Sequence, residues 1–155
     1  MSAAVQNVQD ALDAAGVEGE ARTLPQSTRT AAEAADALGC PVGAIANSLI
    51  FMADDAPLLV LTSGAHRVDV EALATRLGRA RIRRAKPEEV RAATGQVIGG
   101  VSPVGHPAPL ETLVDETLRE YPEIWAAAGT PNAVFPTTFD ELTRITGGTV
   151  TRVDG

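Results

Sequence analysis

The stretch VGAIANSLIFMADDAPLLVLTSG, residues 42–64, consists of two apolar runs separated by a short polar turn at Asp54 and Asp55. Runs of this length that are rich in Ile, Val and Leu and end at turn residues are typical of two antiparallel strands joined as a hairpin. We therefore predict strands over about residues 45–53 and 57–62 at the centre of a sheet. Asn47 places a polar amide inside the first run, where a buried strand seldom carries one.

Helical and strand patterns follow one another irregularly on both sides of this hairpin. Capping residues, apolar spacing and glycine stops predict helices over 3–15, from Thr30 to Gly39, from Asp69 to Gly78, from Pro87, and from Thr138 to Gly147. Further strands are predicted at about 20–24, 80–84, 110–114, 123–128, 132–136 and 149–153. Because strand and helix do not alternate strictly, we predict an α+β fold, a mixed sheet with helices packed on it.

Length and composition favour one compact domain over residues 1–155. The chain has 155 residues, of which 45% are hydrophobic and 21% charged, enough for a sizeable core. No segment approaches the roughly 18 apolar residues of a membrane span, and the start has no basic region or apolar run, so a soluble, cytoplasmic protein is expected. Cys40 is the single cysteine, which excludes an internal disulfide and predicts a packed thiol.

The charge of the chain is unevenly distributed. A net charge of −7 argues against a protein that coats nucleic acid along its length. More than half of the 13 basic residues nevertheless fall in one short span: Arg76, Arg79, Arg81, Arg83, Arg84, Lys86 and Arg91. This span predicts either a local patch for an anion or a solvated helix end and strand edge.

The segment TGQVIGGVSPVGHPAPLETLVDE, residues 94–116, predicts a shaped loop. Five glycines and prolines between Gly99 and Pro107 are too many for a helix or an inner strand. Adjacent Gly99 and Gly100 allow close approach to a ligand, with amide groups free to meet an oxygen. In such a rigid binding loop we expect Ser102 to act as a hydrogen-bond donor.

Known catalytic and metal motifs are absent from the sequence. Ser102, His106 and Asp115 could form a triad, but the spacing of the nucleophile elbow is one residue too long and Pro103 has no amide hydrogen for an oxyanion hole. No HExxH, CxxC or phosphate-binding glycine motif occurs, so no metal or organic cofactor is expected. His66 is predicted as a surface or capping residue, with a role near a ligand as the alternative.

Five segments, taken in order, carry a resemblance to a known family: ALG, AIANSLIF, PLLVLTSGAHRVDVEALATRLG, ATGQVIGGVSPVGHPAPLETLVDE and AAAGTPNAVFPTTFDEL. From about residue 25 to 150 the chain resembles the YbaK/EbsC family of aminoacyl-tRNA deacylases, relatives of the editing domain inserted in bacterial prolyl-tRNA synthetase. The most specific match is Gly99-Gly-Val-Ser-Pro103, which resembles the family's GxxxP substrate loop. The resemblance implies a single α+β domain with a mixed, partly barrel-like sheet.

The implied activity is hydrolysis of the ester that joins a wrong amino acid to the terminal ribose of a tRNA. In this family the protein supplies no covalent nucleophile, and a lysine in a pattern of the type xxKxLxF contacts the substrate near the scissile bond. In AIANSLIF the corresponding position is Asn47, which can exchange hydrogen bonds but carries no charge. Two replacements for the lysine are conceivable: Arg67, or the loop amides together with Ser102. The alternative is a protein that binds aminoacyl-tRNA without hydrolysing it.

The resemblance also implies a set of site residues and partners. Expected catalytic residues are Asn47, Gly100 and Ser102. Expected substrate-binding residues are Gly99, Val101, Pro103, Arg67, His66, Asp115 and Gly129. Asn47, Gly99, Gly100, Val101 and Ser102 are expected to line a closed pocket for one small side chain, such as that of alanine, cysteine or serine. The expected partner is the acceptor end of an aminoacyl-tRNA, with a synthetase as a second candidate and no membrane.

Overall fold

The computed structural model describes residues 2–154, which form five α-helices and eight strands. The helices are α1 (Ala3–Ala14), α2 (Ala31–Leu38), α3 (Val70–Leu77), α4 (Pro87–Thr94) and α5 (Phe139–Thr146). The strands are β1 (Arg22–Thr23), β2 (Ile45–Ala53), β3 (Ala56–Ser63), β4 (Ile82–Arg84), β5 (Glu111–Asp115), β6 (Ile124–Ala127), β7 (Ala133–Thr137) and β8 (Thr149–Thr151). Each lies within a few residues of a predicted element.

All eight strands belong to one mixed sheet, which confirms the predicted α+β class. The order is β1-β7-β6-β2-β3-β5-β8, and β4 also pairs with β2. The central hairpin is antiparallel from Ala46 opposite Ser63 to Ala53 opposite Ala56. Its turn is made by Asp54 and Asp55, both with positive φ. The pairs β2 with β6, β3 with β5 and β5 with β8 are parallel.

The central hairpin has covered faces on both sides, which explains its nearly continuous apolar runs. On one face Ile50 and Leu59 join the largest core cluster, to which α1 contributes Val8 and Leu12. On the other face Phe51 and its neighbours pack with α3. A third, smaller cluster joins α2 to β6 and β7, and the half-buried Cys40 packs against it. Burial raises the pKa of the Cys40 thiol, which favours the unreactive protonated form.

No helix within residues 2–154 is long and apolar enough to cross a bilayer.

Replacing Leu59 by alanine tests the core at the centre of the hairpin. The Leu59 side chain is fully buried, so Leu59→Ala should lower the free energy of unfolding by about 2–5 kcal/mol through lost burial and a residual cavity. The matched control is Val97→Ala, because Val97 is 39% exposed and its truncation should change the free energy by less than about 0.5 kcal/mol. Urea denaturation measures both, and equal effects would contradict the described packing.

Candidate active site

Strand β2 has an interruption in its pairing on one edge. Along the opposite edge β3 pairs with it from residue 46 to residue 53. On the interrupted edge β6 pairs only with Ile45 and Ala46, and β4 pairs only from Phe51 to Ala53. Residues 47–49 therefore have a strand partner on one side only, and their other edge is open to a ligand.

Ser48 presents polar groups at this open edge. The carbonyl of Ile45 accepts from Gly64 on the β3 side, whereas the carbonyl of Ile50 accepts from Ala85 on the β4 side, at 2.8 and 3.1 Å. Backbone groups alternate between the two edges of a strand, so the N–H and C=O of Ser48 point toward the open edge. The Ser48 hydroxyl oxygen is also buried and has no hydrogen-bond partner within residues 2–154. Such unsatisfied buried groups are rare, and this hydroxyl is free to exchange a hydrogen bond with a ligand.

A cavity of about 650 Å³ surrounds this edge. It is bounded by the start of α2, the β2 edge, β6, the segment from β3 into α3, and the glycine loop. The cavity wall includes Arg29, Asn47, Ser48, Thr62, His66, Arg67, Arg84, Val90, Ile98, Gly99 and Val101. This volume is larger than one side chain and falls in the range typical of small-molecule sites.

Asn47 lies half-buried in the cavity wall, directly across the hairpin from Thr62. Its side chain makes no hydrogen bond to any residue in the described part of the chain. A half-buried amide without a partner can both donate and accept hydrogen bonds toward a ligand. This placement gives a physical reason for a polar residue inside the first apolar run.

Only part of the glycine loop reaches the cavity. Gly99 and Val101 line it, together with Asn47, but Gly100 does not, which corrects part of the predicted wall. The two glycines are needed for packing within the protein. Gly99 has a φ of +88°, and a Cβ there would lie 2.5 Å from Cγ of Arg29, while a Cβ on Gly100 would lie 2.6 Å from the Thr130 backbone.

Ser102 and Pro103 also lie outside the cavity wall, because the loop folds back on itself. Ser102 is fully buried; its N–H donates to Gln96 Oε1 at 2.7 Å and its hydroxyl oxygen accepts from the Val104 N–H at 3.2 Å. His106 donates from Nε2 to the Ser102 carbonyl at 2.7 Å, not to the hydroxyl. A Ser102–His106–Asp115 triad is therefore not formed, as the sequence spacing predicts.

Gly129 supports the glycine loop through a backbone hydrogen bond. Its N–H donates to the Gly100 carbonyl at 2.9 Å. Its φ is +102°, and a Cβ there would approach the Ala4 carbonyl oxygen to 2.8 Å. Gly129 thus connects α1, the loop and the end of β6 without forming part of the cavity wall.

Asp115 is buried at the end of β5 and holds several chain segments together. One carboxylate oxygen accepts from the Ser63 N–H at 2.9 Å and lies 3.2 Å from His66 Nδ1. The other accepts from the N–H and the hydroxyl of Thr117 at 3.0 and 2.8 Å. Asp115 does not line the cavity, but its partner His66 does.

Three arginines of the cavity wall have no acidic partner within residues 2–154: Arg29, Arg67 and Arg84. By contrast, Arg79 lies 2.6 Å from Glu111 and Arg83 lies 2.8 Å from Glu89, whose pKa it lowers to about 2. Within the basic span, Arg79 and Arg83 are thus paired with acidic residues, and Arg84 is the member that lies in the cavity wall. Arg29, a residue the sequence analysis missed, supplies a further cation.

Comparisons with known proteins agree with this fold. The model of the family described as an aminoacyl-tRNA editing domain matches residues 25–145. A solved structure of a candidate trans-editing enzyme for prolyl-tRNA synthetase is similar, with 45% sequence identity, a TM-score of 0.94, and coverage of 100% of this chain and 99% of that one.

Two sequence relatives point the same way. A candidate Cys-tRNA(Pro)/Cys-tRNA(Cys) deacylase, EbsC of Enterococcus faecalis, is 25% identical over 76% of this chain and 77% of its own. A proline–tRNA ligase of Levilactobacillus brevis is 32% identical over 55% of this chain but only 15% of its own length. The chain belongs to the aminoacyl-tRNA editing domain family, which includes the YbaK/EbsC deacylases.

The buried imidazole of His106 should make stability depend on pH. Burial lowers the pKa of His106 below its ordinary value of 6.5, and the bond to the Ser102 carbonyl partly opposes this. The unfolded chain then binds the proton more readily, so the contribution of His106 is present above pH 6.5 and is lost as pH falls below it.

We expect His106→Gln to reduce the loss of unfolding free energy between about pH 7 and pH 5, where histidine titrates. Urea denaturation at several pH values measures the difference. An unchanged pH dependence in the variant would contradict the assigned burial of the ring.

Proposed function

We propose that the protein is a trans-editing hydrolase that cleaves the ester between a small amino acid and the terminal ribose of a mischarged tRNA. The observation that carries the proposal is the cavity in which Asn47, Gly99 and Val101 meet at the open edge of β2. We take residues 1–155 as one deacylase domain and place its work in the cytoplasm, where aminoacyl-tRNA is used. Membership of the editing family supports the general activity.

The dimensions of the cavity suit an aminoacyl-adenosine. A volume of about 650 Å³ accommodates the terminal nucleoside together with a small aminoacyl group. Val90, Ile98 and Val101 make one part of the wall bulky and apolar. We propose that this part excludes larger side chains, so that alanine, cysteine and serine esters are the candidate substrates.

The polar groups at the open edge can stabilise the reaction. When water attacks the ester carbonyl, its oxygen gains negative charge, and donors already in position lower the barrier most. We assign this role to the Asn47 side-chain N–H and the Ser48 backbone N–H. Both are neutral donors, so they supply less stabilisation than an ammonium group would.

A binding protein without turnover is the second candidate function. This candidate is favoured by Asn47, which occupies the position where the YbaK/EbsC family has a lysine. It could bind the same acceptor end through its loop and arginines. A synthetase remains a further proposed partner, since the similarity to a proline–tRNA ligase covers one segment of that enzyme.

A charged-tRNA panel tests the first candidate. We expect release of amino acid from tRNA charged with alanine, cysteine or serine, with a slower reaction for proline. Asn47→Ala should reduce kcat/KM by about 100-fold, the effect typical of losing one oxyanion donor. The control is Gln6→Ala, because Gln6 is an exposed amide that bonds to Asp10 on α1 and should leave the rate unchanged.

The same panel separates the two candidates. If the wild-type protein cleaves none of the esters at concentrations matching the tRNA, the hydrolase proposal fails. Turnover that appears only in Asn47→Lys would identify the natural protein as a binder.

The unpaired arginines of the cavity wall should contribute to tRNA affinity. Each phosphate contact made by a cation releases counterions, so binding weakens with added salt. Arg67→Gln should weaken tRNA binding and reduce the slope of log K against log salt by about 0.7–1. Arg83→Gln is the matched control, since Arg83 is bonded to both oxygens of Glu89. Equal slopes for both variants, measured by filter binding, would contradict an anion-binding role for Arg67.

A further inference from the structure

His66 faces the cavity from the segment between β3 and α3. Its side chain is 25% exposed and contributes to the cavity wall. Nδ1 of its ring lies 3.2 Å from a carboxylate oxygen of Asp115, which is 1% exposed. A partly exposed imidazole bonded to a buried carboxylate is an arrangement that proteins use to orient a base.

The hydrogen bonds of Asp115 fix the orientation of this pair. Its carboxylate accepts from the Ser63 N–H and from the N–H and hydroxyl of Thr117, so its position is determined from three directions. An ionised carboxylate only accepts, and it therefore selects the form of neutral His66 that carries hydrogen on Nδ1. The other ring nitrogen, Nε2, then has a free lone pair and no hydrogen bond to any residue within 2–154.

The His66–Asp115 pair lies near Asn47, which is proposed to stabilise the ester carbonyl oxygen. Thr62 is the cross-strand partner of Asn47, and its hydroxyl lies 3.4 Å from the same Asp115 oxygen that meets His66. Asn47, Thr62 and His66 all line the same cavity. A base and an oxyanion donor thus stand on one face of the hairpin.

We propose that His66 is the general base of the reaction, with Asp115 as its positioning residue; this rests on the proposed function. Nε2 removes a proton from water as the water oxygen bonds to the ester carbonyl carbon. The tetrahedral intermediate collapses with cleavage of the bond between the carbonyl carbon and the ribose oxygen. The imidazolium returns its proton to that oxygen, and the products are the free amino acid and a tRNA with a terminal hydroxyl.

The charges around His66 come from several segments. Asp115 of β5 contacts the ring, and Asp154 near the end of the chain lies 4.0 Å from Nδ1. The arginines Arg29, Arg67 and Arg84 line the same cavity. Whatever the net charge around the ring, a protonated imidazole cannot accept a proton from water. The rate of hydrolysis must therefore fall as the pH is lowered.

The test uses single-turnover hydrolysis of alanyl-, cysteinyl- or seryl-tRNA(Pro), whichever the wild-type protein cleaves fastest. We expect His66→Gln to lower the rate by roughly 100-fold or more while retaining the fold, because glutamine can still donate to Asp115. The fall in rate toward acid pH should disappear in this variant once spontaneous hydrolysis is subtracted. Added imidazole should restore turnover to His66→Ala. The matched control is His106→Gln, since His106 lies outside the cavity wall and should retain the wild-type rate.

Each outcome decides the proposal. A wild-type rate in His66→Gln overturns it while leaving the hydrolase function intact. A loss of rate with an unchanged pH profile and no rescue by imidazole also overturns it, since His66 would then act only through structure. If the wild-type protein shows no turnover, the proposed hydrolase function fails, and the proposed role of His66 as a general base fails with it.

Discussion

The interrupted hydrogen-bond ladder on one edge of β2 is the constraint on which the rest of the site depends. The strand is continuous because β3 pairs with it along the whole hairpin, yet β6 and β4 leave residues 47–49 without a partner on the other edge. Backbone groups in a buried sheet are normally paired, and leaving them unpaired costs free energy. The covered faces of the hairpin offset that cost and keep the open edge rigid.

The groups around this edge divide into those that shape the cavity and those that face it. Gly100, Ser102 and Gly129 use their polar groups within the protein and fix the loop, which presents Gly99 and Val101 to the cavity. Asp115 likewise remains buried and holds His66 at the wall. The hydrolase we propose would therefore rely on neutral donors, a positioned imidazole and unpaired arginines rather than on a lysine.

The sequence was sufficient for the fold but for only part of the site. Periodicity and caps define the helices, and the two long apolar runs define the central hairpin, because local patterns determine local structure. The contact between His66 and Asp115 joins residues 49 positions apart, and no local pattern reveals it. Ser48 was missed because its significance arises only from the edge that β4 and β6 leave open. Arg29 was missed because it belongs to no charge cluster.

Binding of a stable substrate analogue shows directly whether the open β2 edge receives the aminoacyl end. Adenosine that carries alanine at its 3′ position through an amide instead of an ester cannot be cleaved readily, and NMR can follow each backbone amide during its titration. We predict saturable shifts at Asn47, Ser48 and Gly99, with smaller changes at the buried Gly100 and Ser102. Shifts confined to another surface, such as the hollow beside Asn7 and His106, would contradict the assignment of the open β2 edge as the site of the aminoacyl end.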